Sequence, residues 1–236
     1  MTPRRLAVLR YRRVGPLGED DWLTSSTIEE TRFDEHLKTL RRLRWTPISG
    51  ETFVAGLADP RDFPERAVLV TIDGGYSSFV EHALPILDRY RAPAVVFVAT
   101  DRMDATVSFE PELDVPAPTL GWEELSHLAG EVEVGSMGTA FRRFSALGTA
   151  DIEREVADSR AEIARRLGRS PALFAYPGGD VGSDPDATAR VLRLAGYRAA
   201  FLASGGPVAF PPPDPWRIPR LSVTPGGDLE AALESS

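Results

Sequence analysis

The chain has 236 residues, of which 42% are hydrophobic and 26% charged, a composition typical of globular proteins that excludes a disordered chain. Its formal net charge of −8 argues against nucleic acid or an anionic membrane surface as a partner, because both would repel it. The chain contains no cysteine, which excludes disulfides, thiolate nucleophiles and cysteine-ligated zinc.

The first residues carry positive charge, as a signal peptide does, but Arg10 and Arg12 interrupt the apolar run that follows. No run reaches the roughly 18 apolar residues of a membrane span. We therefore expect a cytoplasmic protein that does not contact a membrane and forms a single domain over residues 1–236.

Apolar runs alternate along the chain with segments of helical spacing. The predicted strands are LAVLRY, AVLVTID, APAVVFVAT, VEVGS, ALFAYP, RAAFLAS and RIPRLSV. The predicted helices are FDEHLKTLRRL, FVEHALPILDRY, WEELSHLA, DIEREVADSRAEIARRLG and DATARVLRLAGY. This alternation predicts β/α units with largely parallel strands.

Several helix boundaries are predicted from individual residues. Thr149 is expected to cap the helix that follows it, and Gly168 and Gly196 are expected to end two helices. Pro85 lies inside a helical pattern, where a kink or a restart is expected. The stiff segment 211–215, PPPDP, predicts a loop that leads to the last strand.

One carboxylate marks the end of the apolar strand AVLVTID. Asp73 is followed at once by Gly74 and Gly75 and then by a helical segment. In parallel α/β architectures, functional groups gather where strands end. An aspartate before two glycines is also a common turn former, so the residues by themselves leave both interpretations open.

The order of the motifs resembles the polysaccharide deacetylases of the NodB-homology type, carbohydrate esterase family four. VTIDGGYSSFVEHALPIL is similar to T-F-D-D-G-Y before a helix with A-L-P-I-L, and LRYRRVG to L-x-Y-H-R-V. VEVGSMGTAF is similar to E-I-G-S-H-T-x-x-H, and FAYPGGD to F-x-Y-P-x-G. The resemblance extends from Leu6 to about Val223 and implies an α/β fold, a distorted (β/α) barrel.

The resemblance implies metal-assisted hydrolysis of an acetamide, with a divalent metal on one aspartate and two histidines and a second aspartate as base. Asp73 stands at the position of the base. The ligand positions hold Gly74, Met137 and Phe141, and Arg12 replaces a histidine of the first strand. A divergent member without the metal-ligand triad is therefore predicted, and no cofactor is expected.

Other ligands for a metal are scarce in the sequence. The three histidines, His36, His82 and His127, lie in predicted helices without a ligand spacing, and we interpret them as ordinary helix residues. Asp180 and Asp184 follow AYPGG, where they would join Asp73 around a cation or, more commonly, form turns. Zinc, cobalt or nickel is expected only if such a rearranged site exists.

Without a metal, Asp73 would be an uncompensated charge at a partly buried rim. Arg12 is the candidate partner, because it lies at the end of the first strand and its guanidinium binds carboxylates through two N–H groups. The alternative is that Arg12 extends its head group into solvent.

Sugar-binding groups are predicted in FAYPGGD and at two tryptophans. Tyr176 would present its ring and backbone N–H to the sugar and the oxyanion, although a core position is an equal alternative. Either tryptophan would supply a stacking face. The residues predicted to bind are Arg12, Trp122, Pro177, Gly178, Asp180 and Trp216.

Three functions follow, in order of preference. The first is a degenerate deacetylase-like protein that lacks metal-dependent hydrolysis and has carbohydrate as its partner. The second is an active carbohydrate N- or O-deacetylase with a rearranged metal site or a metal-free mechanism based on Asp73. The third is a non-catalytic scaffold, which would show a broad apolar surface patch.

Overall fold

The structure is a computed structural model, and it describes residues 4–17, 27–109, 116–128 and 132–235. The strands are β1 (Arg5–Tyr11), β2 (Arg13–Val14), β3 (Thr27–Ile28), β4 (Thr46–Pro47), β5 (Arg66–Asp73), β6 (Ala94–Val98), β7 (Thr106–Val107), β8 (Ala117–Pro118), β9 (Glu133–Ser136), β10 (Leu173–Ala175), β11 (Ala199–Phe201), β12 (Val208–Ala209) and β13 (Leu221–Ser222). The helices are α1 (Glu30–Arg42), α2 (Gly50–Ala58), α3 (Leu84–Tyr90), α4 (Trp122–His127), α5 (Thr149–Leu167), α6 (Pro185–Ala195) and α7 (Leu229–Glu234).

One sheet of nine strands dominates the described part of the chain. Its order is β11-β10-β9-β6-β5-β1-β12, with β4 beside β5 and β13 beside β1. The pairings from β11 through to β1 are parallel, and β12 is antiparallel to β1. The predicted α/β architecture with largely parallel strands is confirmed.

The segment after β12 joins the two ends of this sheet. Ile218 forms a parallel bridge to Phe201 of β11, and Leu221 of β13 pairs with Leu9 of β1. The sheet therefore curls toward a closed barrel, and the predicted distorted (β/α) barrel is confirmed. This closing segment also carries Arg220 across the mouth of the barrel.

Alternate strand residues lie on opposite faces of the sheet and join different hydrophobic clusters. In β1, Leu6 and Val8 join the cluster inside the barrel, whereas Ala7 and Leu9 join the cluster beneath the helices. Each fully buried aliphatic side chain contributes about 1.5–3 kcal/mol. Because both faces are covered, the strands read as continuous apolar runs, which is why the sequence revealed them.

Most predicted boundaries are confirmed, and one is wrong. α5 and α6 end at Gly168 and Gly196, whose φ angles of +71° and +95° suit glycine. Helix α3 restarts at Leu84 after a π-helical turn over Phe79–Ala83, with Pro85 in its first turn. Thr149 does not cap α5, because the helix begins one residue earlier: Gly148 is the N-cap and its carbonyl accepts from Ile152.

The sequence interpretation missed α2, which closes the bottom of the barrel. Its N-cap is Ser49, whose hydroxyl accepts the backbone N–H of Thr52 at 3.0 Å. The cap was a usable indication. None of the helices in the described ranges combines the length and the apolar character that crossing a bilayer requires.

Candidate functional site

The carboxyl ends of the parallel strands form one rim of the barrel. Asp73 is the last residue of β5. Leu69, four residues earlier, lies on the same face of that strand, because every second residue of a strand faces the same way. In β1, Arg10 continues the inward face of Val8 in the same way. The interior of the barrel is thus apolar below and becomes charged at its mouth.

Two arginines bind the Asp73 carboxylate. Arg220 donates from Nη1 to Oδ1 at 2.6 Å and from Nη2 to Oδ2 at 2.9 Å. Arg10 donates from Nε to Oδ2 at 2.7 Å. The side chain of Asp73 is 3% exposed and that of Arg220 is 0% exposed. Both carboxylate oxygens therefore accept charge-assisted hydrogen bonds inside the protein.

Further hydrogen bonds hold Arg220 in place. Its Nε donates to the carbonyl of Leu202 at 2.6 Å, and its Nη1 also donates to the hydroxyl of Thr71 at 3.1 Å. The guanidinium lies 5.5 Å from the ring centroid of Phe97. The ion pair is thus anchored to β5, β6 and the turn after β11, and its geometry depends on closure of the barrel.

The ionisation of Asp73 follows from these contacts. Burial would raise the pKa of Asp73, but the charges and hydrogen bonds of Arg220 and Arg10 outweigh burial and lower the pKa to about 2. The carboxylate is consequently ionised and paired across the physiological pH range.

An arginine does pair with Asp73, but the prediction that this arginine is Arg12 is wrong. The salt bridges of Asp73 with described residues are formed by Arg10 and Arg220. Arg10 is the last inward residue within β1, whereas Arg12 lies beyond the end of that strand. Arg12 is 8% exposed, so it does not extend into solvent either, and its positive charge is felt by Arg220.

Aromatic rings surround the positions where the resemblance placed metal ligands. Phe109 lies edge-on to Tyr76 at 5.4 Å and to Phe141 at 5.0 Å between ring centroids. A Cβ added to Gly74 would lie 3.0 Å from Tyr76 and 3.1 Å from Phe109. Met137 is buried in the barrel interior. These positions therefore form an apolar wall beside Asp73.

The residues at this rim do not fit a divalent metal. Zinc and similar ions take histidine nitrogen or carboxylate oxygen, and thioether and phenyl groups do not replace them. The oxygens of Asp73 already accept from two arginines. Across the described ranges, no group of three or more His, Cys, Asp or Glu residues is arranged to hold a metal ion.

A buried glutamate fixes the loop after β9, on which Met137 and Phe141 lie. Glu155 of α5 accepts the backbone N–H groups of Thr139 at 2.7 Å and Ala140 at 3.1 Å. Its side chain is 5% exposed. The loop is therefore held to the helix layer by a carboxylate that the sequence interpretation did not single out.

The structure places Tyr176 in the core instead of at a sugar site. Its ring is 1% exposed, and its hydroxyl donates to the carbonyl of Trp216 at 3.0 Å. Its backbone N–H donates to the carbonyl of Phe201 at 3.0 Å, so this N–H is not directed at an oxyanion. Burial raises the pKa of the Tyr176 hydroxyl above its usual value. Of the two interpretations, the core position is the one observed.

The remaining residues of FAYPGGD form a tight turn. Pro177 is buried and Gly178 has a φ of +61°. Asp180 accepts from the backbone N–H of Gly182 at 2.9 Å and of Ser145 at 3.0 Å. Asp184 accepts from the backbone of Ala187 as the N-cap of α6. Both aspartates thus shape the backbone, as the turn-former interpretation expected.

The two tryptophans lie apart, in different hydrophobic clusters. Trp216 is 8% exposed, and the guanidinium of Arg193 lies 5.4 Å from its ring centroid. Trp122 is also 8% exposed, and it lines a polar groove between α4, α5 and the segments that follow β6 and β9. The structure therefore does not bring the predicted stacking faces together at the rim.

The histidines are helix residues, as expected. His36 is buried in α1, and its Nδ1 shares a hydrogen bond of 3.2 Å with the hydroxyl of Tyr11. Burial lowers the pKa of His36 to about 4. His82 pairs with Glu30, and His127 ends α4.

The residues that sequence reasoning missed at the rim are Arg10 and Arg220. Counting in steps of two from Leu6 would have placed Arg10 on the same inward face. Nothing local pointed to Arg220, because it lies just before a strand of only two residues, β13, and its position depends on closure of the sheet.

Comparisons with known proteins show which proteins this chain is similar to. The family model described as polysaccharide deacetylase matches residues 61–200, more than half of the chain. The poly-beta-1,6-N-acetyl-D-glucosamine N-deacetylase of Staphylococcus epidermidis is 22% identical over 231 residues, covering 91% of this chain and 76% of that protein.

Solved structures show the same fold. The Streptococcus pyogenes deacetylase PplD, in complex with acetate, superposes with a TM-score of 0.82 at 17% identity, covering 95% of both chains. IcaB from Ammonifex degensii superposes with a TM-score of 0.81 at 24% identity, covering 97% of this chain and 96% of that one.

Proposed function

The chain belongs to the polysaccharide deacetylase family, and we propose that it binds carbohydrate but lacks the metal-dependent hydrolysis of that family. The observation that carries the proposal is the double ion pair of Asp73 with Arg10 and Arg220. A fold is not an activity, so the site decides the function. At this site, both oxygens of the carboxylate are already engaged.

Loss of hydrolysis is supported by the neighbouring positions as well. A metal would polarise a carbonyl or activate a water, and each task requires ligands that hold the ion beside the base. Gly74, Met137 and Phe141 offer no such ligand, and a Cβ added at Gly74 would crowd the rings of Tyr76 and Phe109 at 3.0 and 3.1 Å. Gly74 and Met137 are buried, so these positions contribute packing beside Asp73 and no metal ligand.

A metal-free reaction on Asp73 is disfavoured by its ionisation. A general base works best when its pKa lies near the operating pH. The two arginines lower the pKa of Asp73 to about 2, which makes the carboxylate a weak base at neutral pH. Asp73 is better suited to holding the mouth of the barrel together.

A scaffold that binds an apolar protein surface is also disfavoured. Among the described residues, the large hydrophobic side chains that are exposed are Leu17 and Leu194, which lie on separate parts of the chain. A docking surface for a protein would need a contiguous apolar patch of several hundred Å².

Metal content and acetate release together test the proposal. The protein, purified without chelator and equilibrated with zinc, cobalt or nickel, is analysed by mass spectrometry and incubated with an N-acetylglucosamine tetramer. We expect substoichiometric metal, no acetate above the no-protein control, and detectable binding of oligosaccharide by calorimetry.

Asp73→Asn separates a real site from adventitious metal. Stoichiometric metal or metal-dependent acetate release that this variant abolishes would overturn the proposal. Metal that persists equally in Asp73→Asn would lie elsewhere on the surface and leave the proposal standing. Circular dichroism confirms that the variant is folded under the assay conditions.

A further inference from the structure

Helix α6 presents apolar side chains to solvent on the side away from the core. It buries Ala189 and Leu192 in the cluster that it shares with α5. Ala187, Val191 and Leu194 are four and three residues apart, so they form one stripe along the other side of the helix. Leu194 is 81% exposed, more than any other large hydrophobic side chain in the described ranges. The stripe therefore leaves apolar area in water that a partner would bury.

A pocket of about 150 Å³ adjoins this stripe. It lies between the start of α5 and the first turns of α6, and Ala187 and Val191 belong to both the stripe and the pocket wall. Leu147 and Ile152 supply apolar groups on the other side. Since one water molecule occupies about 30 Å³, the pocket has the volume of about five waters, enough for the isobutyl group of a leucine. Leu194 lies one turn farther along the helix and does not line this pocket.

The charged residues of α6 are segregated along its axis. Asp186 lies in the first turn, whereas Arg190 and Arg193 lie toward the end, and all three are exposed. Asp186 forms a surface ion pair of 3.3 Å with Arg217, of the kind that adds little stability. The surface that complements this helix in charge is an antiparallel copy of it, because each acidic end then meets a basic end.

We propose that two copies of this chain form a homodimer through antiparallel α6 helices. Leu194 of each copy enters the pocket beside Ala187 of the other, and Arg193 of each copy pairs with Asp186 of the other. The midpoint between residues 187 and 194 lies within one residue of the midpoint between residues 186 and 193, which is about 1.5 Å along the axis. One twofold axis therefore allows both contacts at once, as an isologous interface requires. The two Arg190 side chains approach each other near this axis, and each lies one turn from an Asp186 that offsets their repulsion.

The proposed contact is small. An 11-residue helix from each copy is fewer than the roughly 20–30 residues that each partner supplies to a standard interface, so the dimer is weak. The stripe is also narrower than the broad apolar patch that a scaffold for another protein needs. A second copy suits it because every contact then forms twice. The inference does not depend on the carbohydrate binding proposed above.

Sedimentation velocity of the full chain over a concentration series tests the inference. We expect the weight-average sedimentation coefficient to rise with concentration, as a monomer–dimer equilibrium requires. Leu194→Ala should weaken dimerisation about ten-fold or more, because each dimer loses two buried side chains. Alanine is a good helix former and the leucine is 81% exposed within its own copy, so the variant should unfold at the wild-type midpoint.

Leu17→Ala provides the matched control. Leu17 is the other large hydrophobic residue that is exposed in the described ranges, and it lies outside α6 and the pocket. The variant removes the same apolar group from a different part of the surface. It should therefore dimerise as the wild type does.

Exchanging the charges tests the antiparallel arrangement. Asp186→Arg and Arg193→Glu should each weaken dimerisation about five-fold, because each change places two pairs of like charges in the dimer. The double variant, Asp186→Arg with Arg193→Glu, restores both pairs with their signs reversed. Its dimerisation should return to within about two-fold of the wild type.

A chain that stays monomeric at every soluble concentration would overturn the inference, and so would equal effects of Leu194→Ala and Leu17→Ala. A double variant that associates no better than the single variants would refute the contact between Asp186 and Arg193, and with it the antiparallel interface. Oligosaccharide binding measured by calorimetry on the same variants reports separately on the proposed function. The two failures are therefore distinguishable.

Discussion

Replacing Arg220 by methionine is expected to lower the free energy of unfolding by about 3 kcal/mol. The variant keeps an unbranched apolar chain in place of the aliphatic part of arginine but leaves the 3%-exposed Asp73 carboxylate with Arg10 alone. It also removes the donors to the carbonyl of Leu202 and the hydroxyl of Thr71. Breaking a buried ion pair lowers the stability by more than the intact pair adds to it, because one charge is left without a partner in the low-dielectric interior.

Urea unfolding followed by circular dichroism measures this effect. Arg217→Met is the control, because Arg217 lies in the same segment but its side chain is 42% exposed and pairs with Asp214 at the surface. The control should leave the unfolding midpoint nearly unchanged. A loss below about 1 kcal/mol in Arg220→Met, or no coupling with Asp73→Asn in a double-mutant cycle, would refute the reasoning.

The same ion pair predicts how stability depends on pH. The pKa of Asp73 is lowered in the folded protein from 3.8 to about 2. Its stabilisation is therefore fully present above about pH 4 and is lost as the pH falls through about 2. The difference in unfolding free energy between the wild type and Asp73→Asn should shrink by about 2 kcal/mol over this range. A difference that does not change with pH would contradict the assignment.

Three further predictions concern positions around the rim and the core. Gly74→Ala should destabilise the fold by about 1–3 kcal/mol, because the φ angle of Gly74 is +95° and two aromatic rings lie within 3.1 Å of the added carbon. Gly148→Ala is the control and should not destabilise the fold, because the φ angle of Gly148 is −78° and no atom lies near the added carbon. Glu155→Ala, which removes the acceptor, should speed amide hydrogen exchange at Thr139, whose N–H Glu155 accepts at 2.7 Å, and equal exchange would deny Glu155 that role. The His36 imidazole should titrate near pH 4 by NMR, since burial disfavours its charged form; titration near 6.5 would mean that it is solvated.

The extent to which the rim was predictable differs from residue to residue. Asp73 was found because it ends a long apolar strand and is followed by two glycines, a local pattern. Arg10 was within reach of the same reasoning, through the two-residue repeat of β1. Arg12 was chosen in its place because it stands where the resemblance has a histidine, at the end of the first strand.

Tyr176 illustrates a different limit. Its strand was identified correctly, but the motif alone did not reveal whether the ring faces a cleft or the helices. In the fold, α5 and α6 cover that face, and the hydroxyl reaches the backbone of Trp216. Burial depends on which elements pack together, and those elements are distant along the chain.

The sequence by itself determined the parallel α/β barrel, the position of Asp73 at a strand end and the absence of metal-ligand residue types at Gly74, Met137 and Phe141. Local periodicity predicted the parallel β/α units, whereas the barrel and the three ligand positions were implied by the resemblance of the motifs to the deacetylase family. Only the tertiary structure decided which cations neutralise Asp73, because Arg220 is 147 residues away and reaches it through closure of the sheet. The groove between α4 and α5 is likewise visible only once helices that are separate in sequence lie side by side.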